Sequence, residues 1–266
     1  AKTSYKRLAS FMKETEDDDV SRKNERAIRR EKLGSLEFKD TSYRYPEADL
    51  DTLRGINIKI NEGEKVAILG RNGSGKSTLM KLASGLFKAT DGLVLYDGVD
   101  IKQLHTKDLS RSIGIVLQDV QLFSGTVREN ITMGREDISQ DDLIEAGKLS
   151  GLDEFISKIP GGYDLQLLDG GKGLSGGQRQ AIALTRAIVH KPSHFILDEP
   201  TSAMDMNAEN LFINQVGKIL KDSTMLIVTH RMPLLNLVDR IIVMNEGQIV
   251  EDGPKDEIIQ KLNQQR

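Results

Sequence analysis

The run Gly70-Arg-Asn-Gly-Ser-Gly-Lys-Ser-Thr78 packs glycines, a lysine and hydroxyls into one short turn, after an apolar stretch and before a helix. Its spacing, G-x-x-x-x-G-K-[ST], suits a loop that grips phosphate. Gly73 and Gly75 let the backbone curl so that successive N–H groups point at phosphate oxygens. A helix starting near Lys76 adds its positive end. Lys76 is suited to reach the β- and γ-phosphates. Ser77 is suited to offer its hydroxyl to Mg²⁺, which keeps several waters and takes few protein ligands. Gly70, Asn72, Gly73, Ser74, Gly75, Lys76, Ser77 and Thr78 are therefore the expected contacts for ATP.

A metal beside such a loop needs an acidic partner, and Phe195-Ile-Leu-Asp-Glu199 supplies one at the end of an apolar strand. Asp198 would hold Mg²⁺ through water. Glu199 would then polarise an attacking water near the γ-phosphate. An ordinary Glu has a pKa of about 4.3, so it is ready to accept a proton. The plainer alternative is an exposed acidic pair at a strand end, and the phosphate loop weighs against it. A second anion site is written at Leu174-Ser-Gly-Gly-Gln178, where Ser175, the N–H groups of Gly176 and Gly177, and a helix start converge.

The elements that must carry these residues follow from pattern. Strands are expected at Leu36–Asp40, Leu53–Ile60, Lys65–Leu69, Gly92–Tyr96 and Ile113–Leu117, with a helix from Lys76 to Leu86. The stretch from Thr126 to Val189 reads as mostly helical: Thr126–Ile131, Gln140–Leu149, Leu152–Ser157 and Gln178–Val189, interrupted by the Gly-rich passage Gly161–Gly177. Then come strand Phe195–Leu197, helix Ala208–Leu220, strands Met225–Val228, Ile241–Met244 and Gln248–Glu251, and a helix near Lys255–Leu262. Alternating strands and helices imply a mainly parallel sheet with helices packed on it. The expected fold class is α/β: a P-loop NTPase core, an antiparallel β subdomain, and an inserted helical subdomain at about 119–190.

Residues 1–34 read differently. Ala1–Met12 suits a short helix, followed by an acidic run at Glu16–Asp19 and a basic stretch at Arg22–Lys32. The segment is expected to be a solvated linker, with the globular domain at 35–266.

With the phosphate loop and acidic strand in place, Leu174-Ser-Gly-Gly-Gln178 resembles the signature motif of ABC ATPases. The resemblance implies that this motif caps the γ-phosphate of ATP held by an opposing subunit. Ser175, Gly176, Gly177 and Gln178 would then bind nucleotide in trans, and a head-to-tail dimer would complete two sites. Other positions match individually. Gln118 resembles the Q-loop glutamine, which contacts Mg²⁺ and the attacking water. His230 resembles the switch histidine at the γ-phosphate. Ser202-Ala-Met-Asp205 resembles the D-loop along the dimer interface. Tyr45 sits where the family places an aromatic under adenine; a tyrosine packed at a strand edge is the other reading. By this resemblance Glu199, His230, Gln118 and Lys76 are catalytic, and Ser77, Gln118 and Asp198 hold the metal. His105, His190 and His194 have no comparable context and read as structural.

The likeness covers about residues 36–253 and points to exporters. Gln118–Asn130 is similar to the stretch after the Q-loop in exporter ATPases, and residues 1–34 resemble the linker from a transmembrane domain. Asp169–Gln180, with Pro200–Asp205, looks most like type I secretion exporters of proteins and peptides. Two positions depart from the pattern: Asp169 stands where Glu is usual, and Met204 where Leu is common. The partners implied are an identical or homologous ATPase domain and an exporter's transmembrane domain, with no direct contact to the transported substrate. The place implied is the cytoplasmic face of the inner membrane.

Composition fits. The 266 residues are 38% hydrophobic and 29% charged, with a net charge of −3 and no cysteine. A disulfide framework or cysteine zinc site is excluded, and no general electrostatic drive toward nucleic acid is expected. No apolar run approaches the roughly 18–20 residues that span a bilayer. The charged N-terminus does not read as a signal peptide. The chain is thus expected to be soluble, with membrane contact supplied by another segment or subunit. Non-transport ABC ATPases acting on chromosomes carry long coiled coils, and the insert here lacks sustained heptads; those acting on ribosomes usually carry two cassettes in one chain. A nucleotide sensor without turnover would lack Glu199 or His230. An importer subunit fits the linker and the Phe123-Ser-Gly-Thr126 stretch less well.

Overall fold

The computed structural model describes residues 27–264, apart from Glu136 and Ala203. The helix expected at Ala1–Met12 and the acidic run at Glu16–Asp19 lie outside the described residues.

Strands β1 (Leu36–Tyr43) and β2 (Leu53–Ile60) pair antiparallel, with Phe38 opposite Ile58. β3 (Lys65–Gly70) runs into helix α1 (Lys76–Ala83). β4 (Asp91–Tyr96) and β5 (Val99–Asp100) complete an antiparallel sheet of order β2-β1-β4-β5. Helix α2 (Thr106–Ser112) precedes β6 (Ile113–Val116). The following stretch is mainly helical: β7 (Gly125–Thr126), α3 (Val127–Thr132), α4 (Gln140–Ser150), α5 (Asp153–Ile156), β8 (Gln166–Leu167) and α6 (Gly176–Ile188). The α/β alternation resumes with β9 (His194–Asp198), α7 (Met206–Ile219) and β10 (Thr224–Val228). It closes with β11 (Arg240–Asn245), β12 (Gln248–Pro254) and α8 (Lys255–Gln264).

The main sheet has the order β12-β11-β3-β10-β9-β6, parallel throughout except for the edge strand β12. Its central strands β9 and β10 are buried along their whole length, as strands covered on both faces must be. One apolar core fills the space between this sheet, the antiparallel sheet and α1; it includes Phe38, Ile58, Ile68, Leu79 and Leu82. A second core lies under the helical insert and includes Val127, Leu143, Ile182, Leu197 and Phe212. The fold is α/β with a mainly parallel sheet, an antiparallel β unit and a helical insertion.

Local chemistry explains the helix boundaries. Ser139 with Asp142, Thr126 with Glu129, and Ser175 with Gln178 form reciprocal capping boxes at the starts of α4, α3 and α6. Helix α1 stops at Ala83 rather than Leu86: the Ser84 N–H reaches back to the Met80 carbonyl, and its hydroxyl bonds the Lys81 carbonyl at 3.0 Å. Helix α2 was not expected. It carries a single apolar residue, Leu109, so it shows no periodic stripe. His105 caps it, with Nδ1 accepting the Lys107 N–H at 3.2 Å.

Residues 28–34 are attached to the body of the fold. The Ile28 N–H donates to the Gln103 carbonyl at 2.8 Å, and the Ile28 carbonyl accepts the His105 N–H at 3.0 Å. Asp108 accepts the Arg30 N–H at 3.0 Å and pairs with Arg29, while Leu33 is 1% exposed. Among the described residues no helix is long and apolar enough to cross a membrane.

Candidate functional site

Register decides which residues meet. Val228 of β10 stands level with Ile68 of β3 and Asp198 of β9, and Val116 of β6 stands level with Leu197. The carboxyl ends of β3, β10, β9 and β6 therefore emerge side by side. Gly70, His230, Asp198 with Glu199, and Gln118 line one edge of the sheet, which is where open α/β sheets bind ligands.

The loop from Gly70 to Lys76 is a curled backbone with φ of 152° at Gly70, 80° at Gly73 and 98° at Gly75. Lys76 arches back over it: its Nζ donates to the Gly70 carbonyl at 2.8 Å and the Arg71 carbonyl at 2.9 Å. Burial lowers the pKa of this ammonium, and the carboxylates of Glu199 and Asp198 oppose the shift. The β11–β12 turn braces the loop from outside, the Gly247 N–H donating to the Ser74 carbonyl at 3.1 Å. The first turn of α1 leaves backbone donors aimed into the curl, as helix starts do.

Asp198 closes the inner end of β9. It is 6% exposed, and its Oδ1 has no hydrogen-bond partner. Burial raises its pKa, against a hydrogen bond from Ser77. A buried, unpartnered carboxylate oxygen beside a hydroxyl is a fitting place for a hard cation that keeps most of its waters. Among the described residues there is no cluster of three or more His, Cys, Asp or Glu side chains that could cage a metal alone.

Glu199 adopts φ 45°, an uncommon backbone state for a residue with a side chain. Its N–H donates to the Val228 carbonyl at 2.9 Å, which ties the end of β9 to the end of β10. The same turn brings Glu199 Oε1 to 3.1 Å from His230 Nε2. Both side chains reach solvent. Gln118 is exposed two residues beyond β6.

Tyr45 is half-buried at the rim. Its hydroxyl lies 3.2 Å from the Thr78 hydroxyl, and its ring meets Tyr43 and Phe87 edge-on at 5.1 and 5.7 Å. These contacts show the packing reading of Tyr45, with its hydroxyl at the Thr78 end of the phosphate loop.

The second anion-shaped feature stands elsewhere. Ser175 begins α6, with its hydroxyl accepting the Gln178 N–H at 3.2 Å and Gln178 Oε1 accepting the Ser175 N–H at 2.9 Å. Helix α6 packs on α3, α4 and β6, whereas α1 packs on β3, β9 and β10. Ser175–Gln178 and the Lys76 loop are therefore carried by different layers.

The passages 118–124 and 169–173 come together, the Gly170 N–H donating to the Leu122 carbonyl at 3.0 Å. Beside this junction Phe123 is 51% exposed and Leu168 65% exposed. Asn130 fixes the backbone of Phe123 from both sides, at 2.8 and 2.9 Å.

Sequence reasoning met Thr201 only as part of the 200–205 stretch and passed over Glu209 and Arg231; the three form a bonded group behind Glu199 and His230. The only linear signal was the position of Arg231 next to His230. Nothing in spacing points to Glu209. His190 bonds Arg135 at 2.8 Å, and His194 is buried.

The family model described as ABC transporter matches residues 53–202. A putative multidrug export ATP-binding/permease protein, YgaD of Bacillus subtilis, is 39% identical over 85% of this chain and 39% of its own length. The cyclolysin secretion/processing ATP-binding protein CyaB of Bordetella pertussis is 41% identical over 85% of this chain and 32% of its own. The chain thus spans between about a third and two fifths of these relatives. A solved bacterial Atm1-family ABC exporter with ATP bound superposes with a TM-score of 0.79 and 30% identity, over 86% of this chain and 40% of that one. A single chain that joins the Lys76 loop, the Asp198–Glu199 strand end and the Ser175–Gln178 helix start, within a matched region of this length, belongs to the ABC transporter family.

Proposed function

We propose that this chain is the ATP-hydrolysing motor of an exporter and works as a head-to-tail pair. One observation carries the reading. The Lys76 loop, Asp198 and the Glu199–His230 contact share one sheet edge, while the Ser175–Gln178 helix start is carried by another layer. Two such half-sites in one chain suit a symmetric pair in which each chain supplies what the other lacks.

The phosphates of ATP lie in the backbone curl at Gly70–Thr78, where Lys76 exchanges its carbonyl partners for phosphate oxygens. Ser77, Asp198 and Gln118 would hold Mg²⁺, whose charge would offset that of the phosphates. Glu199 orients the attacking water and takes its proton, and His230 holds Glu199 and the outer phosphate in register. The partner's Ser175, Gly176, Gly177 and Gln178 close over the same phosphate with a second helix start. Tyr45 supports the adenine.

The junction of 118–124 with 169–173, with exposed Phe123 and Leu168, is the face that meets a transmembrane domain. The names of the relatives support export, and secretion-type names among them support a protein or peptide cargo handled by other parts of the transporter. The motor then sits at the cytoplasmic face of the inner membrane.

Glu199→Gln tests the assignment. The variant is expected to bind Mg²⁺-ATP, to turn over about 10²–10⁴-fold more slowly, and to elute as an ATP-bound dimer in size-exclusion chromatography. A monomeric variant with wild-type turnover ends this reading.

A further inference from the structure

Behind the Glu199–His230 contact lies a group with no assigned task. Glu209, in the first turn of α7, is 5% exposed, and burying a carboxylate is costly unless it is paired. Its Oε1 accepts the Thr201 hydroxyl at 2.7 Å and stands 3.2 Å from Arg231 Nη1. Arg231 Nη2 donates to the carbonyls of Ser202 and Met204, each at 3.4 Å. The Arg231 backbone N–H donates to the Thr229 hydroxyl at 3.0 Å.

These contacts link both halves of the reacting pair to one carboxylate. Thr201 lies two residues beyond Glu199, and the Ser202 N–H donates to the Glu199 carbonyl at 3.1 Å. Arg231 directly follows His230. Between the two segments is a cavity of about 230 Å³ lined by Glu199, Thr201, Ser202, Thr229, His230 and Arg231. The pair therefore faces open space, with no packing to hold it from that side. The φ of 45° at Glu199 needs the same support, because such a state persists only where its surroundings over-determine it.

We infer that Arg231, anchored on Glu209, is a positioning residue that sets His230 against Glu199 and ties both to the Ser202–Asp205 segment. The inference rests on the motor reading above. Its physical content is that the Arg231 guanidinium reads the place of the Ser202 and Met204 carbonyls through two long hydrogen bonds. Any shift of that segment is passed to the adjoining His230. If a second chain presses on 202–205, its arrival is registered at the pair that handles the attacking water. The Arg231 side chain is 37% exposed, and ion pairs of that kind add little net stability, whereas the two carbonyl contacts fix where its guanidinium lies.

Two measurements test this on the 266-residue chain. The first needs no activity. With the four histidines labelled on the ring, Arg231→Gln is expected to move the His230 signal and leave those of His105, His190 and His194 in place. An unmoved His230 signal overturns the inference.

The second is turnover. Arg231→Gln is expected to lower kcat up to about 100-fold, as a misplacement near 1 Å does, with KM for ATP within about 2-fold. Arg231→Lys should recover part of the loss. On a His230→Ala background, Arg231→Gln should cost nothing further, since it acts through that ring. A full additional loss there, or unchanged kcat in the single variant, overturns the inference. Should Arg231→Gln fail to fold with Glu209 left unpaired, Arg231→Gln with Glu209→Gln removes both charges. That double variant should fold and still show the shifted His230 signal and the low kcat; normal values of both overturn the inference. If the wild-type chain itself hydrolyses no ATP, the motor reading fails, and the His230 signal still judges the positioning role of Arg231.

Discussion

Replacing Tyr45 separates its packing role from its proposed role under adenine, because the two have different sizes and different ligands. The hydroxyl bond to Thr78, at 3.2 Å, is worth about 1 kcal/mol of stability. The two edge-on contacts with Tyr43 and Phe87 add about 0.5–1.5 kcal/mol each. Tyr45→Ala should therefore destabilise the chain by about 2–4 kcal/mol, whereas Tyr45→Phe loses only the hydroxyl share. Stacking a base on an aromatic face is worth about 1–3 kcal/mol. Tyr45→Ala should thus weaken ATP binding about 5- to 150-fold, with kcat at saturation little changed, while Tyr45→Phe stays near wild type. Calorimetric titration with ATP measures this. Titration with inorganic tripolyphosphate supplies the control, because Tyr45 also touches Thr78 at the end of the phosphate loop. A ring acting on the base leaves tripolyphosphate affinity unchanged; a ring acting on the loop weakens both ligands alike. Unchanged ATP affinity, or an equal loss for both ligands, refutes the adenine role.

Lys76→Ala removes the ammonium that bridges two loop carbonyls, and is expected to abolish tight ATP binding in the same titration; retained affinity would remove the phosphate cradle from the account. Gly70→Ala would set a Cβ 2.3 Å from the Met244 carbonyl oxygen at a φ that side chains avoid, so a stability loss of about 1–3 kcal/mol together with lost ATP binding is expected; a variant with wild-type melting and affinity would show that the loop tolerates the strain. Burial holds His194 down at about 4, against 6.5 for an ordinary histidine. Below pH 6.5 the unfolded chain takes up a proton that the native one refuses, so stability falls with pH until about pH 4, by about 3 kcal/mol in all. Urea unfolding at pH 7 and pH 4.5 should show a smaller drop for His194→Gln than for wild type, and equal drops would contradict the assignment.

The local geometry of the candidate site was legible in the sequence. The Gly70–Thr78 loop, the Asp198–Glu199 doublet and the Ser175–Gln178 helix start each fit within a few residues. Each is a backbone curl, a strand end or a helix cap, and short spacings encode those directly. Strands such as Leu53–Ile60 and Met225–Val228 were equally readable, because burial leaves alternating or unbroken apolar runs. Helix α2 escaped notice because one leucine makes no stripe.

Tertiary structure alone decided the rest. The sheet order β12-β11-β3-β10-β9-β6 sets His230 beside Glu199 and brings Gln118 to the same edge, and that order depends on crossovers between strands far apart in the chain. The docking of Arg29 and Arg30 on Asp108 and the Arg231–Glu209–Thr201 group were invisible for the same reason. A charged pair leaves no period in a sequence; it becomes an interaction only once the fold sets a buried carboxylate within bonding distance of a more exposed guanidinium.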